Sequence, residues 1–399
     1  MPQAVPRPAP GAGPSAAARR APGPQTPEAF EAFARELDQL REDTRLQLGE
    51  ADARYIRRLL YAIRACESAG RALLTLAGPW WPAWLLGTSL LGLAKCLENM
   101  EFGHNVMHGQ YDWLHDPRFH GKSHEWDNAC SKEDWRHFHN HMHHHHTNVL
   151  GVDRDFGYGM LRLSDDTPWE PRNLTQGLYA VIVALTFEWA IAIHNLEVEQ
   201  LRVDREATKA RMKALWPNVR AKMWRQFKKD YLLWPLVGGL AGLALGTGFV
   251  PALLASLAGH VVANVIRNVW TFVVIFCGHF TDQVHTFDPA ETATESRGQW
   301  YLRQCLGSAN ISGGRGFHLM TGNLSHQIEH HLFPDIPARR YADMAPRVRE
   351  IFAVYGVPYN TGSLPRQLVT VVWRIVRHSF PGGRAALSSL GNGTTRVHS

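Results

Sequence analysis

The chain has 399 residues, is 45% hydrophobic and 20% charged, and carries a formal net charge of +6. That balance excludes a chain disordered throughout, and the positive charge fits either a nucleic-acid binder or a membrane protein with basic cytoplasmic loops. Five scattered cysteines (Cys66, Cys96, Cys130, Cys277 and Cys305), odd in number and without a C-x-x-C pair, read as reduced thiols and argue against a disulfide framework or a zinc–thiolate site.

Residues 1–27, rich in Pro, Ala and Gly, read as a disordered tail and not as a signal peptide. Residues 28–70 carry a charged helical pattern, which predicts one or two cytoplasmic or interfacial helices. From Leu73 to Leu97 the chain turns apolar, and Pro79-Trp80-Trp81-Pro82 followed by Trp84 predicts two spans meeting at an aromatic interface. Arg64, Glu67 and Arg71 dilute the first of these; the second runs from about Ala83 past Met100. The segment Leu174–Ile193 is apolar but carries Gln176 and Glu188. Two further apolar stretches start at Tyr231 and Ala252, with Pro251 between them, and each is long enough for roughly 20 residues of hydrocarbon.

Charge decides the role of Leu174–Ile193. Residues 195–230 hold ten Lys/Arg against five Asp/Glu, so the positive-inside rule places this stretch in the cytoplasm. If Leu174–Ile193 crossed the membrane, the histidine-rich run before it would lie outside. We read it as lying on the membrane. That leaves about four transmembrane helices in residues 71–380, both termini in the cytoplasm, and a cytoplasmic helical cap. The expected fold is an all-α integral membrane protein, ending in a second disordered tail at 381–399.

Three histidine clusters stand out. His104 and His108, in "GHNVMHGQ", are spaced i, i+4 and share one face of a helix at the end of the second apolar span. The run "RHFHNHMHHHHTNVLG" holds His137, His139, His141, His143, His144, His145 and His146. The third cluster, "HQIEHHLFP", supplies His326, His330 and His331 beyond the last apolar segment. Neutral imidazole suits Fe, Zn, Cu and Ni, and the lack of thiolates argues against structural zinc. A lone histidine-rich loop is often a weak metal sponge. Three compact clusters on one side of the membrane point instead to a built metal site. The isolated His115, His120, His124, His194, His260, His285, His378 and His398 read as surface or satisfied core residues.

"HNVMH", "HNHMHH" followed by "TN", and "QIEHH" followed by "LFP" resemble the three histidine boxes of the membrane fatty acid desaturases. The likeness extends over roughly residues 80–365, through "TNVLGVDRDFGYG", "TGNLSHQIEHHLFPDIPARRY" and "YGVPYNTG", and is greatest to bacterial acyl-CoA desaturases of the linoleoyl-CoA and stearoyl-CoA type. The resemblance implies that residues 71–380 form a membrane desaturase domain in the bacterial inner membrane. Its cytoplasmic cap would hold a di-iron centre that uses O2 and two electrons to place a cis double bond in a long acyl chain. The implied ligands are His104 and His108, then His139, His143 and His144, then His330 and His331, with His279 in "IFCGHF" as a further one. Gln327 stands where many relatives have another histidine. Glu101, Asp153, Asp155 and Glu329 lie close in sequence to these residues and are candidates to orient the rings. The extra His137, His141, His145, His146 and His326 depart from the family pattern.

Helix geometry offers a competing choice inside the run. At about 100° per residue, His139, His143 and His146 align on an α-helix and His144 points away. The family pattern selects His144, whose divergence from His143 would let the two serve different metals. No flavin or nicotinamide fingerprint and no His-Pro-Gly-Gly haem motif occurs, so a separate NAD(P)H-dependent reductase, acting through a ferredoxin-like carrier, is the expected electron source. The substrate would be carried as a CoA, carrier-protein or phospholipid ester in a tunnel between spans and cap. The basic stretch Arg202–Lys229 reads equally as a contact for CoA phosphates or as a solvated face beside anionic lipid. Two alternatives remain open: a hydroxylase on the same scaffold, and a histidine-rich metal transporter, which predicts ionisable residues lining the spans. Nucleic-acid binding is disfavoured because the basic residues are spread among apolar segments.

Overall fold

The computed structural model describes residues 22–382, so residues 1–21 and 383–399 of the two expected tails lie outside these, while residues 22–27, expected as tail, lead into and cap the first helix. The described residues are mostly helical, with minor departures from the all-α expectation: Asn310–Ser312 pairs in parallel with Thr361–Ser363, and Val149 bridges Phe287.

The first helix, Pro27–Leu46, is opened by Thr26, whose hydroxyl accepts from Ala29 N at 3.2 Å, with Pro27 preset for the first turn. It belongs to the cap, burying Phe33 and Leu37 against Tyr301, Phe333 and Phe352. The second helix, Glu50–Leu76, runs unbroken across the expected boundary at residue 70. It packs against Trp81–Leu97 where small residues allow close approach: a Cβ on Gly70 would sit 2.8 Å from the carbonyl oxygen of Gly87. Trp234–Ala244 and Phe249–His279 form the other hairpin, turning at Gly246 and Gly248, both with positive φ.

Of the expected spans, Phe249–His279 alone among the described residues is long and apolar enough to cross a membrane by itself. The others fall short for identifiable reasons. Glu50–Leu76 is studded with arginines, and Trp81–Leu97 has 17 residues before its register changes. Trp234–Ala244 has 11, because the helix before it is basic and reaches it through a π-helical segment, Lys228–Leu233. The apolar stretch at 174–193 is no straight helix: Pro171–Leu185 and Phe187–His194 meet at a bend of 106°. Beyond the bend Glu188 forms a fully buried ion pair with Arg267 of the long helix.

The packed hairpins carry further charge inside. Lys95 reaches Asp230 at 2.7 Å and Asp127 at 3.1 Å, so a buried ammonium ties three segments of the chain together. Charges this deep persist only when paired. Above the hairpins, Arg297–Leu306, Gln327–Leu332 and Tyr341–Tyr355 build the cap around Tyr301, Phe333 and Ile351.

Candidate metal centre

The three clusters arrive from separate elements. The Trp81–Leu97 helix continues into a π-helical segment, Glu98–His104, and then Asn105–Met107, which places His104 and His108 with ring centroids 4.6 Å apart. The run in mid-sequence is also π-helical, from Arg136 to His143. A π-helix closes its hydrogen bonds i→i+5, so residues four and five apart straddle one face. His143 and His144 therefore both follow His139 inward, and the α-helical alignment with His146 does not arise. His279 ends the long helix, and His330 and His331 lie, fully buried, on Gln327–Leu332.

These eight histidines converge. Donor atoms of His104, His108, His139 and His330 lie within 4.8 Å of one another, as do those of His143, His279 and His331. His144 stands between the two groups, its ring 4.7 Å from His108, 4.8 Å from His330 and stacked 4.4 Å from His331. Nε2 of His108, His139 and His330, and both ring nitrogens of His144, are buried without a hydrogen-bond partner. An orphaned buried polar atom is costly. A facing set of such atoms is the donor set of a cation that prefers imidazole, so the residues fit a pair of transition-metal ions.

Electrostatics keep most of these rings neutral. Burial pushes His144, His330 and His331 well below the ordinary histidine range, and neighbouring imidazoles push the same way. His143 differs: burial disfavours its cation, but the charge and hydrogen bond of Asp153 outweigh that and raise its pKa. Asp153 lies 2.9 Å from His143 Nδ1, and Asp155 lies 3.1 Å from His139 Nδ1. With Nδ1 occupied, each ring presents Nε2 to the interior. Asp155 also forms a donor group with His139 and His143. Because its contact is to the outer nitrogen of His139, we read it as a support and not as a third metal position.

Of the other residues singled out from sequence, Gln327 Nε2 sits 2.8 Å from His279 Nε2, inside the second group. Glu101 and Glu329 are buried but hydrogen-bonded elsewhere. Glu101 accepts from Tyr55 and Asn323, whereas Glu329 accepts from Asn310 and Tyr359, fixing the third cluster to the cap. Sequence reasoning missed Gln304 and Thr147, 3.0 and 3.2 Å from His331 Nδ1, and Tyr341, whose hydroxyl is 3.3 Å from His330 Nδ1. His194, read from sequence as a surface or satisfied core residue, is buried with Nε2 3.6 Å from Asp155. His326 lies apart, its ring 4.5 Å from His318.

A narrow cleft lies beside the first group, lined by His104, His139 and Asp155 and by Met100, Trp126, Trp135, Phe138, Tyr158 and Ile275. Trp135 stacks on His139 at 4.5 Å. The cleft reaches Asn99 and Thr271, which are hydrogen-bonded to each other at 3.3 Å.

The centre thus sets imidazole donors beside an apolar cleft. The family described as Fatty acid desaturase matches residues 79–363, and the chain belongs to that family. It is 47% identical over 337 residues to an NADPH-dependent stearoyl-CoA 9-desaturase of Mycobacterium tuberculosis, covering 84% of this chain and 76% of the relative. It is 24% identical to an sn-1 linoleoyl-lipid 6-desaturase of Synechocystis sp. (70% and 76% covered) and 26% identical to human fatty acid desaturase 3 (88% and 73% covered). The protein is a fatty acyl desaturase.

Proposed function

We propose that this desaturase acts on a long-chain acyl-CoA of the stearoyl type and places a cis double bond at the ninth carbon, using O2 at a di-iron centre. The observation that carries the metal reading is the convergence of two groups of imidazole donors on either side of His144, with Nε2 of His108, His139 and His330 and both ring nitrogens of His144 unpartnered. The substrate and position rest on the 47% identical relative. In this reading His104, His108, His139, His144 and His330 hold one iron, and His143, His279 and His331 the other, with Gln327 beside the second. Two bound irons supply, with O2 and two electrons, an oxidant strong enough for an unactivated methylene.

The chain's own residues do the rest. Asp153 and Asp155 hold the imidazoles of His143 and His139 in one tautomer and orientation. Trp135, Phe138, Tyr158 and Ile275 provide apolar walls that fix the acyl chain beside His139 and keep water from it. The polar Asn99–Thr271 pair limits how far an apolar tail descends.

We further infer four spans with the histidines and both ends in the cytoplasm. Supporting this, Leu85, Leu86, Leu240, Leu243 and Leu254 are exposed on the two hairpins, a lipid-facing belt. The helical segment Pro171–Leu185 exposes Leu174, Leu178, Val181, Ile182 and Leu185. Leu364–His378 turns Val369, Val372, Trp373 and Val376 outward and buries Val371, Arg374 and Arg377. That inverted pattern suits a helix lying in the interface. Electrons come from a separate NAD(P)H-linked reductase through a ferredoxin-like carrier, so the purified chain with NADPH alone should not turn over.

Expression in a host lacking unsaturated fatty acids, followed by mapping of double bonds, tests the reading. A double bond at the ninth carbon and about two irons per chain are expected. A hydroxylated product would favour the hydroxylase, and full activity of an iron-free, zinc-loaded preparation would refute the metal assignment.

A further inference from the structure

The π register that turns His139, His143 and His144 inward sends alternate histidines of the run outward. His137, His141 and His145 are exposed. They form a ladder, with ring centroids 6.2 Å apart between His137 and His141 and 5.0 Å apart between His141 and His145. Nδ1 of His145 is 2.8 Å from the carbonyl oxygen of His141, which leaves Nε2 as its free nitrogen. A ring held through Nδ1 in this way is the usual presentation of a metal-binding imidazole. His141 and His145 line a surface groove of about 400 Å³ together with His146 and Glu295. The groove is braced by Arg303, which pairs with Glu295 and donates to the carbonyl oxygen of His145 at 2.7 Å. These imidazoles take no part in the buried centre, and neither packing nor the desaturase pattern accounts for them.

We propose that His141 and His145, flanked by His137, form an outer, exchangeable site for one divalent first-row transition-metal ion. Two imidazoles spaced i, i+4 with rings 5.0 Å apart can close on a single ion, with water completing its coordination. The open groove makes the site weaker and faster to exchange than the buried one. The inference concerns the outer face only and stands whether or not the buried centre holds iron.

The test is calorimetric titration of Ni²⁺ onto the detergent-solubilised full chain carrying its buried metal. One Ni²⁺ per chain is expected beyond that metal. His141→Gln combined with His145→Gln should weaken this binding by roughly tenfold or more while leaving buried metal content and thermal unfolding unchanged. His115→Gln, an exposed histidine elsewhere, should bind as the wild type does. Absence of the additional Ni²⁺ in the wild type, or its retention at full affinity in the double variant, would overturn the proposal. So would its loss in His115→Gln.

Discussion

Replacing Asp153 by Asn removes a charge from behind His143 while keeping shape and one acceptor oxygen. The side chain is fully buried and holds four contacts: His143 Nδ1 at 2.9 and 3.1 Å, and the backbone N–H groups of Asn148 at 2.8 Å and Asp155 at 3.0 Å. A hydrogen bond to a charged group contributes about 1.5–3 kcal/mol, which converts to roughly 10–150-fold in affinity. Partners that orient metal-bound histidines cost roughly 10–100-fold when mutated. The two estimates overlap. A proton effect runs the other way. Burial disfavours the His143 cation, but Asp153 outweighs it and raises the pKa, so in the wild type a metal competes with a proton that the variant holds less well. The loss should therefore sit toward the lower end of the range at neutral pH and shrink as pH falls. Chelator competition on the solubilised full chain measures it, with turnover assayed separately at saturating iron. An Asp153→Asn variant that holds iron as tightly as wild type from about pH 6 to about pH 8 would show that Asp153 does not tune this ligand.

Ala substitution of His139, His143 or His144 should each abolish desaturation and lower bound iron, whereas His141→Ala, His145→Ala and His146→Ala should leave most activity; an inactive His146→Ala beside an active His144→Ala would reverse the assignment. In the iron-free protein His144, His330 and His331 have pKa values depressed by burial, so the unfolded chain binds more protons at low pH. Their contribution is present above the unfolded value of about 6.5 and is lost as pH falls toward the folded values. A melting temperature unchanged on acidification would contradict this. Glu188→Ala removes the buried carboxylate paired with Arg267, leaving its guanidinium only Asn268 Oδ1 and the carbonyl oxygen of Asp127, and should destabilise the solubilised protein by about 3–5 kcal/mol, read by thermal unfolding in detergent; a loss under about 1 kcal/mol would mean that these neutral partners suffice. A cysteine at the exposed Ala207 should be labelled only from the cytoplasmic side, and labelling from outside intact cells would mean that the segment at 174–193 spans.

The histidines that meet in the centre were legible because each cluster is compact in sequence, and Asp153 and Asp155 because they follow the second cluster closely. The geometry that sorts the run was not. A local reading assumes an α-helix and aligns His146 with His139, whereas the chain adopts a π register from Arg136 to His143. Long-range contacts accompany that register: Trp135 stacks on His139, Asn140 bonds to the carbonyl oxygen of Met107, and Gln304 holds the carbonyl oxygen of His144. Gln304 and Tyr341 escaped for the same reason, since proximity in space carries no mark in a single sequence. Glu101 and Glu329 show the converse error, acids near ligands in sequence whose partners lie elsewhere. The membrane reading failed to single out Leu364–His378 because its arginines suggest a solvated helix. The structure places Arg374 against the carbonyl oxygens of Leu163 and Thr281 and leaves Val369, Val372 and Val376 outside. Charge in this chain is thus a poor guide to what faces water: Arg267, Lys95 and Arg374 are all internal, held by carboxylates or carbonyls, while apolar side chains cover much of the exterior. Mean hydropathy, slightly negative here, depends on composition alone and is blind to this division. It follows that the distribution of exposed apolar residues, and not the average composition, carries the argument for a bilayer around this protein.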